Sequence, residues 1–195
     1  MRKRIGIGMC ALAAAALGCE SSTGPIEQAA GEDAAIEQIA ASAGVVDEER
    51  PGRRGPGPLF DRLAGEIRGF GGFYFDGCDL VVVLTDRSSA DQAADVLAPL
   101  LRRYLAAAGR RCPDGGSIRI QAGVFTWQEL SRYRVALRPV AATRGVGRIA
   151  ISIPENRILV QVISRRLVEH VTALAARLGV PVEALQFVVR GGGRG

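Results

Sequence analysis

The chain has 195 residues, of which 48% are hydrophobic and 23% are charged. This is the composition of a globular protein, and it excludes a collagen, a coiled-coil rod and a fully disordered chain. The net charge of +5 rests on arginine, because Lys3 is the only lysine. A basic balance can indicate a nucleic-acid ligand, but the export signal described next argues against nucleic acid as a partner.

The first 19 residues carry an export signal. Three basic residues at 2–4 precede an apolar run over 5–17, which is shorter than the roughly 20 residues that a membrane-spanning helix needs. The run therefore predicts a signal peptide rather than a permanent span. Residues 16–19, Ala-Leu-Gly-Cys, resemble the lipobox of bacterial lipoproteins. That resemblance implies cleavage before Cys19 and a diacylglycerol on its sulfur; the alternative is ordinary secretion with cleavage nearby.

Lipidation predicts a location in the cell envelope, with the protein attached to membrane lipid through acylated Cys19 and not spanning the bilayer. Glu20 favours the periplasmic side of the outer membrane over the inner membrane, where an Asp in that position favours retention. We predict a signal peptide over 1–18, the lipidated Cys and a flexible acidic and Pro-Gly tether over 19–58, and one domain over 59–195. Three prolines and three glycines within 51–58 argue against regular structure there.

The first half of the domain predicts a hairpin, a helix and a third strand. Phe73–Phe75 and Leu80–Leu84 flank the turn residues 76–79, and the second of these runs is apolar on both faces, which predicts a central strand. A helix follows from about 90 to 108, with Ser88 or Ser89 as its cap. The alternating residues 117–121 predict the third strand.

The second half repeats this order. Ile149–Ile153 and Ile158–Ile163 flank a turn, a helix capped by Ser164 follows, and Leu185–Val189 form the last strand. Between the halves, residues 126–129 form a capping box that opens another helix. We therefore predict an α+β fold of two ββαβ units, at about 70–121 and 146–190. A helix joins them, and the sheets are small, mixed or antiparallel, with helices packed on one face.

Two cysteines remain in the domain. Cys78 begins the predicted central strand, and the helix that follows returns the chain to Cys112. Outside the cytoplasm this geometry predicts a disulfide. A redox or metal role is the alternative, but the spacing is not that of a CxxC motif and no histidine is near.

Catalytic motifs are missing from the sequence. His170 is the only histidine, and it lies on the second helix at the edge of an apolar stripe, which predicts a partly buried structural residue. No G-x-S-x-G turn presents a serine to it. Residues 145–150 fit G-x-G-x-x-A, but they open a strand rather than a helix. Asp76 and Asp79 fit hairpin chemistry better than a cation site. We therefore predict a protein that is not an enzyme and has no cofactor and no metal.

The segment 149–189 resembles the pro-region of secreted chymotrypsin-like proteases of the alpha-lytic type. The resemblance rests on Ile-Pro-Glu-Asn-Arg-Ile-Leu-Val at 153–160, the leucine-rich helix, and Leu-Gly-Val-Pro-Val-Glu-Ala at 178–184. Residues 71–86 look similar to the region that precedes it in such proteins. The resemblance implies a non-catalytic module that binds, inhibits or helps to fold a serine protease, here in trans. The alternative is a structural or adaptor envelope lipoprotein with no protease partner.

The last strand is the predicted partner-binding segment. In proteases of this type the chain continues from that strand into the enzyme, so its end lies against the partner. We expect an exposed strand end that can add to another protein's sheet. The residues predicted to contact the partner are Gln186, Val188, Arg190 and Arg194. The two arginines favour an acidic partner surface.

Overall fold

The chain folds into two small sheets connected by helices. The computed structural model describes residues 45–46, 57–108 and 112–190. The strands are β1 (Val45–Val46), β2 (Phe70–Asp76), β3 (Asp79–Leu84), β4 (Ile118–Ala122), β5 (Val146–Ser152), β6 (Arg157–Val162) and β7 (Leu185–Val189). The helices are α1 (Gly57–Glu66), α2 (Ala90–Ala108), α3 (Trp127–Ala136), α4 (Arg138–Ala141) and α5 (Arg166–Arg177). The fold is therefore α+β, as predicted.

The first sheet has the strand order β2-β3-β4. β2 and β3 are antiparallel, whereas β3 and β4 are parallel and are connected through α2. All five residues from Leu80 to Leu84 are buried, because β3 is the central strand and both of its faces are covered. The apolar run at 80–84 predicted this position correctly.

The second sheet has the strand order β1-β5-β6-β7. β5 and β6 are antiparallel, and β7 runs parallel to β6 after the chain has passed through α5. β1 pairs with the other side of β5, opposite Ile151 and Ser152. The two-residue strand comes from the segment that the sequence assigned to the tether.

Helix α1 begins inside the predicted tether, at Gly57. Its apolar residues Leu59, Phe60 and Leu63 are buried, and they follow the spacing of one helix face. Pro58 stands in the first turn, where a missing backbone N–H costs nothing. The Pro-Gly run therefore ends in a helix start rather than extending up to the predicted domain boundary.

The helix starts differ in part from those predicted. Thr126 and Glu129 form the predicted capping box of α3. The serines predicted to cap the other helices do not: Asp86 accepts a hydrogen bond from the Ser88 N–H and caps a short 3₁₀ turn before α2, and α5 has no side-chain cap. Helix α2 continues through Pro99.

An aromatic cluster joins the two sheets. The Phe60 ring on α1 lies 4.8 Å from the Trp127 ring on α3 and 5.0 Å from the Phe73 ring on β2. Trp127 Nε1 also donates a hydrogen bond of 2.7 Å to the Asp61 carboxylate. Because α3 contacts both β2 and the strands β5 and β6, this cluster fixes the sheets against one another.

Candidate partner-binding edge

Strand β7 ends the second sheet. It pairs with β6 over Ile158–Val162, and no strand of the described residues pairs with its other side. The Arg190 N–H donates to the Val162 carbonyl at 2.9 Å, which extends the pairing by one residue. The predicted segment is therefore an edge strand whose outer side is available for pairing.

The hydrogen bond from the Arg190 N–H to the Val162 carbonyl shows which backbone groups of β7 point away from β6. In a parallel pair, successive residues direct their N–H and C=O groups alternately toward and away from the neighbour. Since Arg190 faces β6, Leu185, Phe187 and Val189 direct their backbone groups outward. The Leu185 N–H already donates to the Val182 carbonyl of the turn before β7. Phe187 and Val189 therefore offer both of the hydrogen-bonding groups that an added strand would need, and Leu185 offers its carbonyl.

The side chains of β7 divide between two faces. Leu185 and Phe187 are half-buried and pack against the core. Gln186 and Val188 lie on the opposite face, because side chains alternate along a strand. Val188 keeps 39% of its surface exposed and Arg190 is exposed. Gln186 is half-buried, and its Oε1 is buried without a hydrogen-bond partner in the described residues.

The disulfide lies in the first unit, far along the chain from β7. Cys78 and Cys112 are bonded, with their Cα atoms 5.7 Å apart and a sequence separation of 34, so the predicted pairing is confirmed. A Cβ at Gly116 would lie only 1.9 Å from the Cys78 carbonyl oxygen. The backbone after Cys112 therefore reaches the bonded hairpin only because residue 116 has no side chain. The disulfide fastens the hairpin turn to the segment that follows α2.

The hairpin carboxylates are engaged in internal contacts. Arg119 on β4 contacts both, through Nη2 to Asp76 and through Nε to Asp79 at 3.2 Å. Asp79 also accepts hydrogen bonds of 2.9 Å from the Ser117 N–H and hydroxyl. The hydrogen bond from the Ser117 N–H lowers the pKa of Asp79 below its ordinary value, and the bond from the Ser117 hydroxyl adds a smaller effect in the same direction. Both carboxylates thus tie β4 to the hairpin.

A polar junction connects the two units. Asn156, in the β5–β6 turn, is 2% exposed and adopts a left-handed conformation with φ of 52°. Its Oδ1 accepts from the Val124 and Phe125 N–H groups at 2.6 and 2.7 Å, and its Nδ2 donates to the Phe125 carbonyl at 2.8 Å. This one amide therefore satisfies three backbone groups of the connection between β4 and α3.

A second contact reinforces the junction. Gln121 on β4 donates to the Pro154 carbonyl at 2.7 Å and accepts from the Tyr74 hydroxyl at 2.9 Å. Burial, and then the charge of Asp76, raise the pKa of Tyr74, so the hydroxyl remains a donor. The Pro-Glu-Asn-Arg turn that carried the pro-region resemblance is thus a structural latch in this fold.

The remaining sequence-predicted residues are distributed as follows. His170 is exposed, which corrects the expectation of a partly buried residue; it lies on the solvent side of α5. The described residues hold no group of three or more His, Cys, Asp and Glu side chains arranged to bind a metal ion. Within the same residues, no helix has the length and apolar character needed to cross a bilayer. Cys19 and Arg194 lie outside the described residues.

Sequence reasoning missed Asn156 and the edge contributed by β1. The helical spacing and Pro58 could have revealed α1, whereas a two-residue strand carries no periodicity.

Comparison with known proteins adds no identity: the chain matches no protein-family model, and no relative is found among curated proteins.

Proposed function

We propose that this chain is a non-enzymatic lipoprotein of the cell envelope that binds another exported protein along β7. The observation that carries the proposal is the unpaired outer side of β7, with Val188 and Arg190 exposed beside it. Acyl chains on Cys19 hold the protein at the membrane, on the periplasmic side of the outer membrane. The partner is a secreted chymotrypsin-like protease, bound in trans as a pro-region would bind it.

Binding by strand addition divides affinity and selectivity between backbone and side chains. The outward N–H and C=O groups of Phe187 and Val189, together with the Leu185 carbonyl, pair with an edge of the partner's sheet. Val188 and Arg190 are exposed on one face, where they contact pockets beside that edge, and the predicted contact of the half-buried Gln186 is confined to the exposed part of its side chain. Arg190, together with Arg194 beyond it, selects an acidic surface. None of these steps needs a catalytic group.

A proline at residue 189 tests the edge directly. Val189→Pro removes one outward N–H and leaves the hydrogen bond from Arg190 to Val162 in place, and proline is tolerated on the free side of an edge strand. Val189→Ala is the matched control, because it shortens the same side chain but keeps the N–H. We expect Val189→Pro to lose inhibition of an alpha-lytic-type protease while Val189→Ala retains it.

Truncation after Val189 tests the contribution of the tail. It removes Arg190 and Arg194, so capture of partners from an envelope extract should weaken while the fold persists. If the intact protein neither inhibits the protease nor captures an envelope protein, the binding proposal fails. If both the truncation and Val189→Pro leave binding unchanged, the partner contacts another surface.

The anchor is tested separately. Cys19→Ser should make the protein removable from the membrane fraction by a high-salt wash, because no acyl chain can then be attached and contacts between charges are screened by salt. Wild-type protein found in the soluble fraction would refute the lipoprotein assignment. The edge experiment uses soluble partners, so its result does not depend on this one.

A further inference from the structure

Four arginines come together at one end of the second sheet. β5 starts there and β6 and β7 end there: the Ile163 N–H donates to the Gly145 carbonyl at 3.0 Å, and the Arg190 N–H donates to the Val162 carbonyl at 2.9 Å. Arg144 immediately precedes this end of the sheet, and Arg165, Arg166 and Arg190 follow it. We call these four arginines and Ile163 the basic end.

The charges of the basic end are available. All four arginines are exposed, and none forms an ion pair with a carboxylate of the described residues. The acid nearest to them in sequence is Glu169, one turn into α5. Ile163 directly follows β6, two residues before Arg165, and keeps 60% of its surface exposed. Ile163 thus places an aliphatic side chain beside unpaired cations, which is the pairing of apolar and basic groups that interfacial membrane contacts use.

The charge of the domain is strongly uneven. Residues 123–190 contain 10 arginines and 4 acidic residues, whereas residues 57–122 contain 8 arginines and 8 acidic residues. An excess of one sign in one half orients that half toward an oppositely charged surface before contact. The basic end therefore lies in the half of the domain that an anionic surface attracts.

We propose that the basic end binds the headgroups of anionic phospholipids, with Ile163 inserted at the level of the acyl-chain boundary. The arginines come from three separate segments, and a lipid surface accepts such spread cations without shape complementarity. The aliphatic chain of Ile163 favours a bilayer over a purely acidic polymer. This contact is made by the folded domain itself, so it does not depend on acylation of Cys19.

Vesicle co-sedimentation of the full chain tests this proposal, with Cys19→Ser in every protein so that acyl chains do not contribute. The probes are phosphatidylcholine vesicles with and without phosphatidylglycerol. The test variant is Arg144→Gln/Arg165→Gln/Arg166→Gln, which leaves Arg190 on the protein-binding edge untouched. Each basic residue at an anionic surface strengthens binding about fivefold, so we expect this variant to bind phosphatidylglycerol vesicles at least about tenfold more weakly.

The matched control is Arg87→Gln/Arg102→Gln/Arg177→Gln. These arginines are also exposed, and the net charge changes equally. Both variants carry the same amino-terminal segment, so a difference between them reports on the basic end alone. Equal losses in the two variants would show a response to net charge only and overturn the proposal.

Ile163→Ser separates a lipid surface from an acidic protein. It should weaken binding to phosphatidylglycerol vesicles and leave any binding to soluble polyglutamate unchanged, because only the bilayer offers an apolar phase. A wild-type chain that binds polyglutamate but not the vesicles would assign the basic end to an acidic protein. Either result leaves the protease experiment on β7 unaffected.

Discussion

The three hydrogen bonds of Asn156 make this residue the sharpest test of how the two units are held together. Its side-chain amide fits between Gly71 and Gly123, where an added Cβ at either glycine would lie 3.1 Å from it. Asn156→Gly removes all three bonds but keeps the left-handed backbone accessible. Asn156→Ala removes the same bonds and adds a Cβ at a φ of 52°.

The expected magnitude follows from the groups left unpaired. The Phe125 N–H and carbonyl are in a buried setting, and an unsatisfied buried polar group costs about 1–3 kcal/mol. The Val124 N–H belongs to an exposed residue and can bond to water, so we do not count it. Asn156→Gly should therefore lower the free energy of unfolding by about 3 kcal/mol. Asn156→Ala should lower the free energy of unfolding by about 0.5–1 kcal/mol more than Asn156→Gly does. The reason is that the strain of alanine in the left-handed conformation exceeds the entropic cost of ordering glycine.

Urea denaturation followed by tryptophan fluorescence measures both variants. Trp127 is the only tryptophan, and it packs at the junction against Phe60, so its emission reports on separation of the units. Gln121→Ala, which removes the neighbouring contact to Pro154, is a useful comparison and should cost less. An Asn156→Gly protein that unfolds at the wild-type urea concentration would show that the latch does not stabilise the fold.

Three further outcomes are expected. Replacing Cys78 and Cys112 with serine should lower the free energy of unfolding by about 3–4 kcal/mol in urea titrations, since a closed loop of this size no longer restricts the unfolded chain; unchanged stability would contradict that view. Asp79 has a folded pKa below its unfolded value because of Ser117, so its ionised form stabilises the fold above about pH 4 and the contribution is lost as the pH falls through the folded pKa. Wild type and Asp79→Asn should thus differ in melting temperature at neutral pH and converge in acid, and a gap that stays constant would refute the assignment. Gln186→Met removes a buried oxygen without a partner, so calorimetry should show stability equal to wild type or about 1 kcal/mol higher, whereas a clear loss would reveal a hidden partner.

The elements that the sequence predicted well are those in which local pattern and tertiary position agree. For β3, the apolar run and the turn residues before it predict a strand, and the central position of that strand in the sheet buries the run. The Thr126 capping box and the Cys78–Cys112 pair are likewise set by residues close to the geometry that they determine. In none of these cases does the prediction depend on a contact between the two halves of the domain.

The features that the sequence did not predict depend on contacts between segments far apart in the chain. Asn156 looks like an ordinary turn residue until the backbone at 124–125, about thirty residues earlier, is placed against it. Ser88 and Ser89 do not cap α2 as expected, because the Asp86 carboxylate accepts the hydrogen bond from the Ser88 N–H and caps the 3₁₀ turn before the helix. β1 has only two residues, and its pairing is decided by the exposed side of β5 rather than by its own composition.

β1 also limits how copies of this protein can associate. Open-ended growth of fibres through one sheet requires a free edge on both sides of that sheet, so that each copy pairs with one neighbour on each side. Here β1 occupies β5 at Ile151 and Ser152, and the rest of β5 carries an irregularity between Val146 and Ile149. Among the described strands of this sheet, β7 therefore gives a second copy the longer regular free edge. Self-association through this sheet alone therefore ends in a closed pair.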